Sequence, residues 1–161
     1  MHGTLVPSAL DPSLFIPDLK CRRKDSALAE LVACAGRGGV LRHPELALEL
    51  LAAREALGST SPGRGVAVPA IRSLAVQHGR VVVARSRRGI EWGAPDELPV
   101  HVIALVCSPA ECPASQHVET VLRVAAAMKP QRARAKLMEA ETFEAVAALT
   151  AAPRAAAPRP R

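Results

Sequence analysis

Apolar residues recur every three or four positions along several stretches of the chain, which is the spacing of one face of an α-helix. In the clearest stretch, Pro44 suits a first helical turn, apolar residues follow at steps of four, three and four positions, and Gly58 ends the pattern. This helix carries Arg54 near its carboxyl end. Helices are predicted over residues 25 or 26 to 35, with Asp25 or Ser26 as the cap, and over residues 44–57. Further helices are predicted over residues 115–128, capped by Ser115, over 130–140, and over 143–149, capped by Thr142.

Shorter apolar stretches between these segments predict strands. Residues 100–106 are almost continuously apolar, which favours a central strand buried on both faces. Residues 80–85 hold three consecutive valines after the turn residue Gly79 and predict a second strand. Further short strands are predicted at residues 14–19, where Pro17 favours an edge or irregular strand, at 66–68, and at Ile90 and Trp92.

Helices that alternate with short strands predict an α/β layered domain. Several links between strands are too short for a crossover, which favours a mixed sheet over a wholly parallel one. With 161 residues, of which 49% are apolar, the chain is long enough for one domain with a real core. We expect residues 1–13 to form a partly irregular N-terminal segment, 14–150 the domain, and 151–161 a disordered tail of Pro, Ala and Arg.

The composition also limits where the protein acts and what it holds. The chain has no run of about 18 apolar residues, and its start lacks the features of a signal peptide, so we expect a soluble cytoplasmic protein. The four cysteines form no C-x-x-C pair and no Cys/His cluster at zinc spacing. We therefore expect no metal, no cofactor and buried reduced thiols at Cys21, Cys34, Cys107 and Cys112.

The net charge of +6 raises the question of nucleic-acid binding. Half of the excess comes from Arg154, Arg159 and Arg161 in the C-terminal tail. The remaining basic clusters, at residues 22–24 and 85–88, have no interleaved aromatic residues on which bases would stack. The favoured interpretation is a set of solvated loop ends, and nucleic acid is not the expected partner.

Residues 54–70 read REALGSTSPGRGVAVPA, the densest motif of the chain. The motif resembles the active-site segment of the type-2 enzyme IIA domains of the phosphoenolpyruvate-dependent phosphotransferase system, the fructose, mannitol and nitrogen-regulatory class. That segment reads RE-x-x-GST-x-x-G-x-G-[IV]-A-[IV]-P-H, and its final histidine accepts the phosphoryl group and passes it on. Here the last position holds Ala70, whose methyl group can neither attack phosphorus nor hold phosphate.

The resemblance covers about residues 14–150. Residues 25–32 and 50–55 resemble the first helix and the end of the second helix of the family, and residues 89–92 followed by 98–106 resemble the segment that leads into its central strand. His117 lies where these domains carry a second histidine, and residues 135–137 with 140–149 resemble their closing helices. The resemblance implies a three-layer α/β/α domain with a mixed central sheet.

The resemblance further implies a remnant phosphate site made of Arg54, Thr60, Gly63, Gly65 and His117. An arginine offers a forked donor to phosphate oxygens, backbone amides of a glycine-rich loop can surround them, and the histidine can donate to or position the group. Each residue also has a structural interpretation. Arg54 can complement the helix dipole, the glycines can serve turns, and His117 can be a hydrogen-bonded core histidine.

No other residue is placed to replace the missing nucleophile. His78 follows Ala70 by eight positions and stands beside the turn residue Gly79, whereas the loop presents the position directly after Pro69. The thiols of Cys107 and Cys112 have no neighbouring motif typical of a reactive thiolate.

The leading hypothesis is a degenerate enzyme IIA-like protein of the nitrogen-regulatory type. Without a phosphoacceptor histidine, it would act by binding regulatory partner proteins or other phosphotransferase components in a permanently unphosphorylated state. Two alternatives remain open: an active phosphocarrier in sugar uptake that uses another acceptor, and a sensor of anions or small ligands in the former phosphate pocket.

Overall fold

A computed structural model describes residues 11–144, which form one mixed β-sheet with helices on both faces. The strands are β1 (Phe15–Ile16), β2 (Val66–Ala67), β3 (Ala70–Ser73), β4 (Arg80–Ile90) and β5 (Val100–Pro109). The helices are α1 (Lys24–Arg37), α2 (Pro44–Leu57), α3 (Ala114–Met128) and α4 (Gln131–Glu139), and a short 3-10 helix (Pro12–Leu14) precedes β1.

Strand β5 lies at the centre of the sheet and organises both halves of the core. It pairs antiparallel with β4, which in turn pairs parallel with β1. On its other edge β5 pairs parallel first with β2 and then with β3. The predicted mixed sheet and the predicted central strand are therefore confirmed.

The alternating side chains of β5 separate two apolar layers. Val102, Ala104 and Val106 pack with Val124 and Met128 beneath α3 and α4. The alternate residues of β5 pack on the opposite face of the sheet, against the buried sides of α1 and α2. These residues are Ile103, Leu105 and Cys107. This arrangement confirms the three-layer α/β/α domain.

Helix α2 has the predicted bounds, but two helices begin differently from the prediction. Arg23 is the residue that precedes α1 and makes no side-chain cap, so Asp25 and Ser26 lie within the first turn instead of capping it. There the carboxylate of Asp25 faces the positive end of the helix dipole. Helix α3 starts after Pro113, whose fixed φ suits a helix start, so the predicted cap at Ser115 is wrong.

The strands differ from the prediction where proline or irregular pairing intervenes. The first strand is only two residues long because Pro17 has no N–H to continue the pairing. Strand β4 continues past Arg85 through an irregularity in register until Ile90 pairs with Val100, so no separate strand forms at Ile90 and Trp92. Strand β3, at residues 70–73, was not predicted because four residues after a proline show no clear alternation.

Several predictions concern residues outside the described range. The irregular segment at residues 1–13 and the last predicted helix, residues 143–149, lie largely outside residues 11–144, and the tail at 151–161 lies wholly outside them. Within residues 11–144, no helix is both long and apolar enough to cross a lipid bilayer.

Candidate functional site

A buried carboxylate fixes the start of the glycine-rich loop that follows α2. Glu55 is only 6% exposed, and its Oε2 accepts a hydrogen bond from the amide of Thr60 at 3.2 Å. Its Oε1 accepts the hydroxyl of Thr60, and the ammonium of Lys24 at the start of α1 lies 3.3 Å from Oε2. The Thr60 hydroxyl is thus already committed to Glu55, which limits what it can offer to phosphate. Sequence reasoning assigned no role to Glu55, although it stands beside Arg54 in the motif.

The glycines of the loop shape a turn that docks on the link between β4 and β5. Gly63, Arg64 and Gly65 have φ values of 97°, 60° and 78°. The amide of Gly63 donates to Oγ of Ser61 at 3.1 Å, and the amide of Arg64 donates to Oδ2 of Asp96 at 2.6 Å. The bond from Arg64 holds the pKa of the Asp96 carboxyl below its usual value. These contacts favour the interpretation of the glycines as turn residues.

The predicted phosphate residues do not meet at one point. The carbonyl of Gly65 accepts the amide of His101, near the start of β5, whereas His117 is bonded to Ser108, near its end. Seven strand residues span roughly 23 Å, so Gly63 and Gly65 lie at the opposite end of the sheet from His117.

Arg54 lies on the exposed side of α2, and its side chain caps the carboxyl end of that helix. Its Nη1 donates to the carbonyl of Gly58 at 2.8 Å, the only hydrogen bond that its guanidinium makes within residues 11–144. A cation at this end complements the negative pole of the helix dipole. The observed contact therefore matches the structural interpretation of Arg54, and a role in binding phosphate stays a prediction.

The end of the motif and the second histidine share one face of the sheet. Ala70 opens β3 opposite Val106, and Arg72 lies opposite Ser108 two residues further along the same face. Nδ1 of His117, in the first turn of α3, lies 2.7 Å from Oγ of Ser108. We refer to Ala70, Arg72, Ser108 and His117 as the β3–α3 cluster. Its members Arg72 and Ser108 were not predicted, and only their alternation with Ala70 and Val106 along paired strands relates them to the site.

The charge state of the β3–α3 cluster is set by burial and by one arginine. Partial burial, and secondly the positive charge of Arg72, lower the pKa of His117. The guanidinium of Arg72 is fixed by bonds from Nε to the carbonyl of Cys112 at 2.6 Å and from Nη2 to the carbonyl of Ala110 at 3.1 Å. Both effects disfavour the protonated form of His117.

Metal-ligating side chains and thiols are the remaining groups that could form a reactive site. Within residues 11–144, no group of three His, Cys, Asp or Glu side chains is arranged to hold a metal ion. All four cysteines are free thiols, of which Cys34 and Cys107 are buried and Cys21 and Cys112 half-buried. Burial raises the pKa of Cys107 to about 12, so its thiolate is scarce at neutral pH.

The domain has three α/β/α layers, with a mixed sheet between two layers of helices. A glycine-rich loop joins α2 to β2, which comes just before β3. The chain belongs to the family described as phosphoenolpyruvate-dependent sugar phosphotransferase system, EIIA 2, whose model matches residues 8–152. The resemblance to type-2 enzyme IIA domains is thereby confirmed for the family and the fold.

Individual relatives carry both regulatory and sugar-transport names. The chain is 30% identical over 146 residues to the nitrogen regulatory protein of Bradyrhizobium diazoefficiens, covering 91% of this chain and 94% of that protein. It is 24% identical over 129 residues to the fructose-specific EIIABC component of Bacillus subtilis, covering 80% of this chain but only 20% of that protein. The chain thus spans about a fifth of the fructose component and nearly the whole nitrogen regulatory protein.

Solved structures agree on the fold. The crystal structure of the nitrogen regulatory protein IIA-Ntr from Neisseria meningitidis matches with a TM-score of 0.83 and 29% identity, over 91% of this chain and 99% of that one. The crystal structure of the mannitol IIA from Escherichia coli matches with a TM-score of 0.75 over 88% of this chain and 99% of that one. At 18% identity, the second match bears on the fold alone.

Proposed function

We propose that this protein is a regulatory enzyme IIA-like domain that acts in the cytoplasm by binding partner proteins and does not carry a phosphoryl group at position 70. The observation that carries the proposal is Ala70, which ends an otherwise complete motif at the first residue of β3. Transfer between histidines needs a neutral imidazole nitrogen as the nucleophile, and a methyl group offers no lone pair. The nitrogen-regulatory relative of nearly equal length supports a regulatory role.

Exposed apolar side chains on the elements that carry the β3–α3 cluster support binding to a protein. Val118 and Leu122 lie one helical turn apart on α3 and are 54% and 63% exposed. Leu74, directly after β3, is 66% exposed. The mannitol IIA of Escherichia coli has been solved in complex with its phosphorylated enzyme IIB, so components of the phosphotransferase system are one class of partner for this fold. Regulatory proteins outside that system are the other class.

Intact mass gives a direct test of the missing phosphoryl group. The protein is incubated with phosphoenolpyruvate and the two general phosphotransferase proteins, and we expect no phosphoryl adduct. The variant Ala70→His should gain an adduct, because it restores an imidazole at the end of the motif beside His117 and Arg72. Leu98→His is the matched control, since it places an imidazole on an exposed position in the link between β4 and β5, outside the β3–α3 cluster, and should stay unmodified. A stoichiometric adduct on the unaltered protein contradicts the proposal.

One specific observation favours a second candidate, phosphoryl transfer to His117. In the tautomer in which Nδ1–H donates to Ser108, the Nε2 lone pair accepts no hydrogen bond from residues 11–144 and can attack the phosphorus of a phosphohistidine on a donor protein. A bond from Nε2 to phosphorus forms, the donor's nitrogen–phosphorus bond breaks, and the donor histidine keeps the released electron pair. An adduct that is lost in His117→Gln but kept in His78→Gln would support this candidate over the first.

A further inference from the structure

A cleft of about 420 Å³ opens between the glycine-rich turn and the carboxyl end of α3. Val66, Ala126 and Met128 contribute apolar surface to its lining. Val66 pairs with Val102, six residues along β5 from Ser108, or roughly 20 Å of strand. The cleft is therefore separate from the β3–α3 cluster, and the proposed function leaves it unused.

Cationic side chains outnumber acidic ones along the lining of the cleft. Arg64, Lys129 and Arg134 line it, and none of its described lining residues is a carboxylate. Nη1 of Arg134 donates to the carbonyls of Met128, at 3.2 Å, and Lys129, which offsets the negative end of α3 and fixes the guanidinium in place. Within residues 11–144 the ammonium of Lys129 makes no hydrogen bond or ion pair. The positive charge along the cleft therefore favours an anionic ligand.

The backbone at Arg64 makes this cation unusual. Its φ of 60° lies in the left-handed region, which a glycine adopts without strain and other residues seldom occupy. The bond from its amide to Asp96, at 2.6 Å, holds that conformation. The carboxylate of Asp96 lies beside this turn, and its oxygens accept the amides of Arg64 and Leu98. An arginine in a position suited to glycine places a positive charge at the edge of the cleft.

We propose that this cleft binds a small amphipathic anion, with an anionic head group on a short apolar body. Its volume falls within the range of about 300–1,000 Å³ that is usual for small-molecule sites. The apolar body would pack against Val66, Ala126 and Met128, and the head group would lie near Arg64 and Lys129. A buried hydrocarbon body supplies affinity, and the cations select against neutral molecules of the same shape.

Octyl phosphate, kept below the concentration at which it forms micelles, is the probe. Calorimetry should detect binding, and amide chemical shifts should move at residues 63–66 and 125–129. Lys129→Ala and Arg132→Ala form a matched pair, because each removes one cation from the junction of α3 and α4 but only Lys129 lines the cleft. We expect about fivefold weaker binding for Lys129→Ala and no change for Arg132→Ala.

Two further variants keep the test independent of folding. Arg64→Gly removes a cation where glycine suits the backbone, so it should stay folded and bind about fivefold more weakly. Ala126→Trp should fill the cleft and abolish binding. Absence of binding, equal weakening by Lys129→Ala and Arg132→Ala, equal affinity for uncharged 1-octanol, or shifts confined to Ser108 and His117 would each overturn the proposal. None of these outcomes bears on the phosphoryl test at position 70.

Discussion

Nδ1 of His117 lies 2.7 Å from Oγ of Ser108, so a side-chain hydrogen bond ties the first turn of α3 to the end of β5. Ser108 is buried and stands opposite Arg72 on β3. The bond therefore joins the histidine of α3 to the same face of the sheet on which Ala70 begins β3. His117 is thereby partly buried near Arg72, so its pKa differs between the folded and the unfolded protein.

Acid should destabilise the protein partly through His117. Burial, followed by the charge of Arg72, lowers the pKa of His117 in the folded state, so the unfolded chain binds a proton more readily. The stabilising contribution is complete above the unfolded pKa of about 6.5 and is lost progressively as the pH falls through that value towards the folded pKa. Urea unfolding at about pH 7.5 and about pH 5 should show a smaller acid loss for His117→Gln than for the unaltered protein.

The matched control for this prediction is His78→Gln, which alters an exposed histidine in the turn before β4. Its acid loss should equal that of the unaltered protein. Arg72→Met should raise the pKa of His117 in an NMR titration because it removes the second cause of the shift. If the two histidine variants lose the same stability in acid, His117 is not the group responsible.

Loss of the Glu55 carboxylate should weaken the whole domain. Glu55→Ala leaves the amide and hydroxyl of Thr60 and the ammonium of Lys24 without their acceptor. Because Glu55 is buried, we expect the free energy of unfolding to fall by about 2–3 kcal/mol, as read from urea denaturation. Glu49→Ala, on the exposed side of the same helix, should change it by less than about 0.5 kcal/mol. Equal effects of the two substitutions would show that the Glu55 contacts do not hold the loop.

The layers of this fold can be predicted from apolar periodicity, because burial on one face or on two leaves a visible pattern. The continuous apolar run of β5 indicated a central strand, and the spacing in α2 indicated its limits from Pro44 to Leu57. Strand β3 left no such pattern, since its four residues are held by pairing with β5 and not by alternation. Helix starts at Lys24 and Ala114 were also misjudged, because neither uses a side-chain cap.

The candidate site was predictable only in part, because contacts across the sheet are not written in sequence spacing. The motif identified Ala70 and the family position identified His117, which the structure places on one face. Arg72 and Ser108 are separated by 36 positions and become neighbours only through the β3–β5 register. Gly63 and Gly65 show the reverse relationship: they are close to Ala70 in sequence, but in the fold they lie near the start of β5, far from His117.

Gly63 should tolerate alanine less well than another glycine of similar backbone. Both Gly63, with φ 97°, and Gly93, with φ 80°, penalise a side chain by conformation, by roughly 1–3 kcal/mol. A Cβ at Gly63 would also lie 2.8 Å from Oδ2 of Asp96, whereas one at Gly93 would meet nothing within 4 Å. We therefore expect Gly63→Ala to cost about 1–2 kcal/mol more than Gly93→Ala in thermal or urea unfolding.

A double-mutant cycle separates the clash from the backbone strain. In an Asp96→Ala background the extra cost of Gly63→Ala over Gly93→Ala should largely disappear, because the carboxylate is no longer there. An extra cost that survives in this background would assign the difference to the backbone alone.

Arg85 should hold α4 against the sheet. Its side chain is almost fully buried and donates from Nε to the carbonyl of Pro17 at 3.1 Å, and from Nη1 to the carbonyls of Leu137, at 2.9 Å, and Ala140. Arg85→Met keeps much of the apolar stem but leaves these three carbonyls without their donors. We expect a loss of about 2–3 kcal/mol in the free energy of unfolding and faster amide hydrogen exchange across α4. Arg87→Met, an exposed neighbour, should stay within about 0.5 kcal/mol, and unchanged exchange in α4 would contradict this role for Arg85.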